Sequence, residues 1–200
     1  MPCSTLSCKP SEILNNLSED LKVIAVVGKM ASGKNYICSL LEKGGWKCID
    51  ADFLVHKAID ESTETIYQTF KDEAEKKNLK ILTEDNKINR RELGKLLFAE
   101  PELLQKQEQI VYPVIIKMIM DFINQNEKTV INATVLYKTP QLLKLCQKVL
   151  YVKASAVKRF IRCKKRDKLP SKQILKRFYT QKNLLAEYQK FDTPIIKIKN

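Results

Sequence analysis

Histidine occurs once in this 200-residue sequence, at position 56, and the six cysteines (Cys3, Cys8, Cys38, Cys48, Cys146 and Cys163) include no Cys-x-x-Cys pair. A structural zinc site needs four converging ligands, so this composition argues against one. No apolar run reaches the roughly 18 to 20 residues that a membrane-spanning helix requires. The longest candidate, Val111 to Ile123, is interrupted by Pro113, Lys117 and Asp121. The N-terminus shows no basic stretch followed by an apolar one, so no export signal is expected. Free thiols in a reducing, cytoplasmic setting follow as the simplest expectation. Internal repeats, low-complexity tracts and Pro/Gly/Ser linkers are missing as well. Acidic residues are in short supply, 23 against 36 lysines and arginines, for a net charge of +13. Anionic partners are therefore expected, although charge alone does not separate a nucleotide's phosphates from a nucleic acid. The apolar fraction of 44% is that of an ordinary globular protein, and the length suits one domain with a real core.

Residues 1–20 are polar and read as an N-terminal extension, with a short helix expected near Ser11 to Leu17. Leu21 to Val27 (L-K-V-I-A-V-V) reads as a buried strand ended by Gly28. From Lys34, the apolar residues Tyr36, Ile37, Leu40 and Leu41 recur at helical spacing until Gly44-Gly45 stops the helix. A second strand, Trp46 to Ile49, ends at Asp50, with Trp46 expected in the flanking core. Strand, glycine turn, helix and strand make a βαβ unit, which calls for a parallel sheet. Residues 53–126 look helical almost throughout. Asn89 can cap a helix through Phe98, Pro101 starts another, and Pro113 is expected to break or kink it before Val114 to Asn126. Strands are expected again at Thr129 to Asn132, Val149 to Val152 and Ile195 to Ile198, with a basic helical hairpin at 155–190. The whole reads as one α/β domain from 21 to 200, its core at 21–52 and 128–154 and a helical insertion at 53–127.

Gly28 to Lys34, G-K-M-A-S-G-K, matches the phosphate-loop pattern G-x-x-x-x-G-K. Glycines let such a loop curl so that successive backbone N–H groups face one anion, and the following helix adds its positive end. Lys34 would reach the terminal phosphates. Its position between a buried strand and a helix is the one that the mechanism requires. Ser or Thr normally follows the lysine and ligates Mg²⁺; here Asn35 stands there, a neutral and bulkier oxygen ligand.

Asp50 and Asp52 fall where the second strand ends, at the rim where open α/β sheets bind ligands. A carboxylate there can take a proton from an acceptor hydroxyl or hold Mg²⁺ through water. Either residue can instead cap the next helix. Around them the run I-D-A-D-F-L-V-H (Ile49 to His56) resembles the signature of the dephospho-CoA kinase family. Further stretches follow in that family's order: N-R-R-E-L-G-K-L-L-F (Asn89 to Phe98), the helix with Tyr112-Pro113, R-D (Arg166-Asp167) and R-F-Y-T-Q (Arg177 to Gln181). The resemblance runs from residue 21 nearly to the C-terminus, and its collinear order carries the weight.

The resemblance implies an α/β fold of the P-loop NTPase type, a parallel sheet flanked by helices, with a helical acceptor-binding insertion and a basic lid. It implies transfer of the γ-phosphate of ATP, with Mg²⁺, to the ribose 3′-hydroxyl of dephospho-CoA, the last step of coenzyme A synthesis. Asp52 matches the family's base, and Lys34 with the amides near Gly28 and from Ala31, Ser32 and Gly33 to Asn35 and Tyr36 matches the ATP-phosphate site. Arg90 matches an acceptor-side arginine and Arg166 a lid arginine that neutralises developing charge; His56, by its place one helical turn after Asp52, is either an acceptor-phosphate contact or a residue that stabilises that turn. Asn35, weakly, and Asp50 are the candidate Mg²⁺ ligands. The sequence departs from the family pattern at Asn132, Thr134 and Lys138, where Asp, Pro and Glu are usual, and at Tyr112, where His is usual. Asn35 and Asn132 both fall on the expected metal side.

Between Lys158 and Arg177 lie ten basic residues and one acid, Asp167. They read as a lid that closes over a triphosphate, with Arg166 and one of Arg159 or Arg162 the working cations and the rest a solvated face. Aromatic residues suited to base stacking are sparse here, so no nucleic-acid partner is expected; nor is a membrane. The expected partners are ATP and dephospho-CoA, and the sequence sets no oligomeric state. Two readings compete: a nucleotide-binding homologue with impaired turnover that acts as a regulator, and another small P-loop kinase acting on a nucleoside or nucleotide.

Overall fold

The computed structural model describes residues 7–167 and 170–200. These residues pack as two compact units, one ending at Asp50 and resuming at Asp121, the other spanning Ala51–Met120. The first unit is built on a six-stranded parallel sheet. Its strands are β1 (Ser7–Cys8), β2 (Val23–Val27), β3 (Lys47–Asp50), β4 (Thr129–Ala133), β5 (Lys148–Lys153) and β6 (Ile195–Lys199). They lie in the order β1-β6-β5-β2-β4-β3.

The central place of β2 follows from its sequence. V-I-A-V-V carries no polar side chain, and every residue of it is buried, as suits a strand covered on both faces. Helix α1 (Lys34–Lys43) packs over β2, β3 and β4. It sends Ile37, Cys38 and Leu41 into a core shared with Ile24, Val26, Val130, Leu150, Val152 and the buried Trp46. Gly44 ends the helix, as its position in the sequence implies. Register pairs Val26 with Asn132 and Asp50 with Asn132 across the carboxyl ends of three strands. Those ends form the rim where the phosphate loop starts.

Near the N-terminus the expected short helix is replaced by two 3-10 turns, Pro10–Glu12 and Leu14–Asn16. Ser7 and Cys8 pair with Lys197 and Ile198 of β6, and Ile13 enters the core. A two-residue strand is too short to show a period of its own, so only its partner strand reveals it.

Helices α6 (Pro140–Leu145), α7 (Ala156–Asp167), α8 (Ser171–Thr180) and α9 (Leu184–Tyr188) complete the first unit, α7 and α8 forming the basic hairpin. The second unit holds α2 (Ala51–Glu61), α3 (Thr63–Lys76), α4 (Arg90–Ala99) and most of α5 (Pro101–Asn124). Asn89 caps α4, its Oδ1 accepting from the Glu92 N–H at 3.3 Å. The break expected at Pro113 does not occur, because α5 runs through it. Leu103, Gln107, Val111, Ile115 and Ile119 form one buried stripe along the helix. Their packing outweighs the one lost hydrogen bond and local clash, a cost of about 3 kcal/mol. Among the described residues, no helix is long and apolar enough to cross a membrane.

Candidate active site

Two glycines shape the loop between β2 and α1 for different reasons. A side-chain carbon on Gly28 would lie 2.5 Å from the Val152 carbonyl oxygen, so close packing against β5 excludes one. Gly33 has φ of +102°, and a Cβ there would lie 1.8 Å from Asn200 Nδ2. Ala31 also takes a left-handed conformation, with φ of 58°.

The loop's carbonyls are held from behind. Met30 O accepts from Arg159 Nε at 2.8 Å. Ala31 O and Ser32 O accept from Arg162 Nη1 at 3.3 and 3.2 Å, and Ser32 O also accepts from Asn200 Nδ2 at 2.7 Å. The Met30 N–H donates to Gln181 Oε1 at 2.7 Å, and Lys29 Nζ to the Lys182 carbonyl at 2.9 Å. With the carbonyls of residues 30–32 engaged this way, the first-turn amides of α1, which no carbonyl inside the helix can reach, are available to an anion.

Residues 31–36 line a cavity of 730 Å³, with Arg162, Lys165 and Arg166 of α7 and Asn200. Lys34 belongs to the same lining, so among the described residues four cations and no acid line the space. Burial, and then the charges of Arg159 and Lys153, hold the Lys29 ammonium below its usual pKa. Burial likewise lowers that of Arg159, which stacks on the Phe178 ring at 3.9 Å from its centroid. Burial is the main cause of both shifts, and the neighbouring cations add to it at Lys29.

Lys34 Nζ donates to Thr134 Oγ1 at 2.9 Å. Tyr188 fixes that segment, its hydroxyl donating to the Thr134 carbonyl at 3.0 Å and accepting from the Leu136 N–H at 2.8 Å. Thr134, one of the departures from the family pattern, thus carries the loop lysine's hydrogen bond. Asn132, another, donates from Nδ2 to Asn35 Oδ1 at 3.0 Å and to Asp50 Oδ2 at 3.1 Å. Its own Oδ1 is buried with no hydrogen-bond partner. Among the described residues, no three acidic, histidine or cysteine side chains gather as a metal cluster. Asp50 and Asn35 nonetheless offer two hard oxygens joined through one amide, which suits an ion that takes few protein ligands and keeps water and phosphate.

In the second unit, Asp52 lies exposed in the first turn of α2. One turn on, His56 Nδ1 hydrogen-bonds Arg90 Nη1, and Arg90 Nη2 lies 3.6 Å from Asp60 Oδ1. Guanidinium only donates, so Nδ1 is the acceptor and the ring proton of a neutral His56 sits on Nε2. The structure therefore brings His56 and Arg90 together, a pairing that no local pattern foretells. Of the lid candidates, Arg162 and Arg166 both face the cavity, whereas Arg159 holds the loop from outside it. Asn200 carries no motif and escapes sequence reasoning, and neither the link from Thr134 to Lys34 nor that from Met30 to Arg159 is foretold by the motifs that contain or flag them. Phe98, closing α4 on the stripe begun by Arg90 and Gly94, is 84% exposed.

The family model for dephospho-CoA kinase (CoaE) matches residues 22–196. The chain is 35% identical over 184 residues to the dephospho-CoA kinase of Treponema denticola, covering 89% of this chain and 82% of that protein. It is 33% identical over 176 residues to that of Treponema pallidum, covering 86% and 83%. In fold it resembles a solved structure from Thermus thermophilus, with a TM-score of 0.72 at 21% identity, covering 91% of this chain and 90% of that one. The dephospho-CoA kinase of Campylobacter jejuni superposes with a TM-score of 0.57 at 24% identity, covering 90% and 88%. With both treponemal relatives above 30% identity and the family pattern running from the start of β2 into β6, the chain belongs to the dephospho-CoA kinase family.

Proposed function

We propose that this member of the family transfers the γ-phosphate of ATP to the ribose 3′-hydroxyl of dephospho-CoA, making coenzyme A. The observation that carries this reading is the cavity over the phosphate loop, where Lys34, Arg162, Lys165 and Arg166 converge, with no acid among the described lining residues. In this reading the amides of residues 31–36 cradle the phosphates and Lys34 leaves Thr134 for the terminal ones. The Asp52 carboxylate takes the proton of the 3′-hydroxyl as its oxygen bonds to the γ-phosphorus. The bond to the β-phosphate oxygen then breaks, and Arg166 and Lys34 balance the charge left on ADP. Arg90, held by His56 and Asp60, is the acceptor-side cation, and the unit Ala51–Met120 serves as acceptor-binding insertion. Helices α7 and α8 serve as the lid.

Asp50 and the Asn35 carboxamide oxygen would hold Mg²⁺, which supplies neutralisation of the β- and γ-phosphate oxygens when bound. The five described cysteines, Cys8, Cys38, Cys48, Cys146 and Cys163, are free thiols, which supports a reducing, cytoplasmic setting.

A second reading, a nucleotide-binding homologue without turnover, is favoured by the neutral side chains Asn35 and Asn132 on the metal side. The test offers the purified chain ATP with Mg²⁺ or Mn²⁺ and, separately, dephospho-CoA, adenosine, AMP and CMP. Coenzyme A formed from dephospho-CoA alone supports the kinase. ATP binding with no product from any acceptor supports the second reading, and another product identifies a different acceptor.

A further inference from the structure

Asn132 occupies an unusual place for a side-chain amide. Its two N–H bonds point to two oxygens contributed by different elements, Asn35 Oδ1 from the first turn of α1 and Asp50 Oδ2 from the end of β3, at 3.0 and 3.1 Å. Asp50 and Asn132 are register partners on neighbouring strands, so their side chains emerge on the same face of the sheet. The amide nitrogen therefore lies between two hard oxygen ligands, where a cation bridging them would lie. Asn132 is 4% exposed, and its own oxygen has no partner in the same buried setting. A buried acceptor without a partner calls for a reason. The reason here is orientation: turning the amide to satisfy Oδ1 would set that oxygen against both acceptors.

We infer that Asn132 is an internal stand-in for a divalent cation: its amide holds the Asn35 and Asp50 oxygens together where an ion would otherwise bridge them. The inference rests on the phosphate-site reading above and deepens it. A carboxylate at position 132 would face Asp50 at about the contact distance of a hydrogen bond, and two such like charges need a cation or a proton between them. The neutral amide removes that need by giving each oxygen a donor. Free Mg²⁺ then has little to gain between these two oxygens, since it would displace two formed hydrogen bonds in exchange for a single formal charge. The ion enters with ATP, whose phosphates supply the charge that this pair of asparagines omits.

The test uses the full chain without nucleotide, followed by calorimetric titration and by thermal unfolding in MgCl₂ against NaCl of equal ionic strength. For the wild-type protein, no saturable Mg²⁺ binding and no Mg²⁺-specific rise in melting temperature are expected. Asn132→Asp should lower the melting temperature in the absence of divalent ions. It should recover with Mg²⁺ and bind the free ion at least about 10-fold more tightly than wild type, as ligand charge dictates. If Asn132→Asp does not fold, Asn132→Ala removes the amide without adding charge, and should gain measurable but weaker Mg²⁺ binding. Wild-type binding of free Mg²⁺ as tight as that of either variant would overturn the inference, as would no gain in both. No acceptor and no turnover enter these measurements. A failed acceptor assay therefore overturns the proposed function alone, and failed titrations overturn the role of Asn132 alone.

Discussion

Arg159 donates from Nε to the Met30 carbonyl at 2.8 Å while its guanidinium plane rests on Phe178 at 3.9 Å. Met30 is held on its other side by Gln181, which accepts its N–H at 2.7 Å. The two peptide groups flanking Met30 in the phosphate loop are thus gripped, one from α7 and one from the end of α8. The guanidinium is 5% exposed as a residue and its Nη2 lacks a partner, a buried cation kept in place by ring stacking and one hydrogen bond. Replacement by methionine keeps an apolar contact with Phe178 and removes the charge together with its hydrogen bond, worth about 1.5 kcal/mol for a charged donor, or roughly ten-fold in affinity. Arg159→Met is expected to raise the KM for ATP by that factor with kcat less affected. Steady-state kinetics check it, and an unchanged KM would mean that the loop holds its shape without this grip.

Lys34 Nζ donates to Thr134 Oγ1 at 2.9 Å, which fixes the position of its charge beside the loop. Lys34→Ala removes a cation that this reading places on the terminal phosphates. Losing such a preorganised donor costs about 10²- to 10³-fold in kcat. ATP affinity should fall as well, which calorimetry reads directly. Thr134→Val removes this one hydrogen bond but not the charge, and a far smaller effect is expected.

Asp52 is exposed in the first turn of α2. Asp52→Asn keeps its size and loses its basicity. General-base catalysis of this kind contributes about 10²- to 10⁴-fold, so turnover should drop within that range while ATP binding stays close to wild type. Near-normal turnover would remove Asp52 from the role and leave the acceptor hydroxyl to another base.

Two thiols carry a pH signature. Burial pushes the Cys146 thiol from its ordinary 9.0 to about 12. Hydrogen bonding with Cys38, and then burial, pushes that of Cys48 up as well. Because the folded thiol of Cys146 holds its proton longer than the unfolded one, its contribution to stability is complete below pH 9.0 and lost as pH rises towards 12. Cys146→Val should flatten the alkaline fall in melting temperature across that window. At neutral pH both thiols should alkylate more slowly than a model thiol, as mass spectrometry can follow. Rapid labelling of Cys146 would show that its site opens far more readily than its burial implies.

Local chemistry made much of this protein legible before any coordinates. The V-I-A-V-V run, the loop from Gly28 to Lys34 and the stop at Gly44 each depend on neighbours within a few residues. Their strand, turn and helix end can be read from side-chain shape, backbone freedom and period alone. Asn89 as a cap and Trp46 as core are of the same kind. Pro113 shows the limit of local reasoning. Its missing N–H argues for a break, yet a buried stripe of five residues from Leu103 to Ile119 holds α5 together. The edge strand at Ser7–Cys8 exists only because β6 offers it a partner 190 residues away. Tertiary structure alone decided what Asn132 does, since Asn35 and Asp50 reach it from 97 and 82 residues away. The composition of the site was written in the sequence. Its wiring depends on which strand ends are brought side by side, because a hydrogen bond acts over about 3 Å of space whatever the distance along the chain.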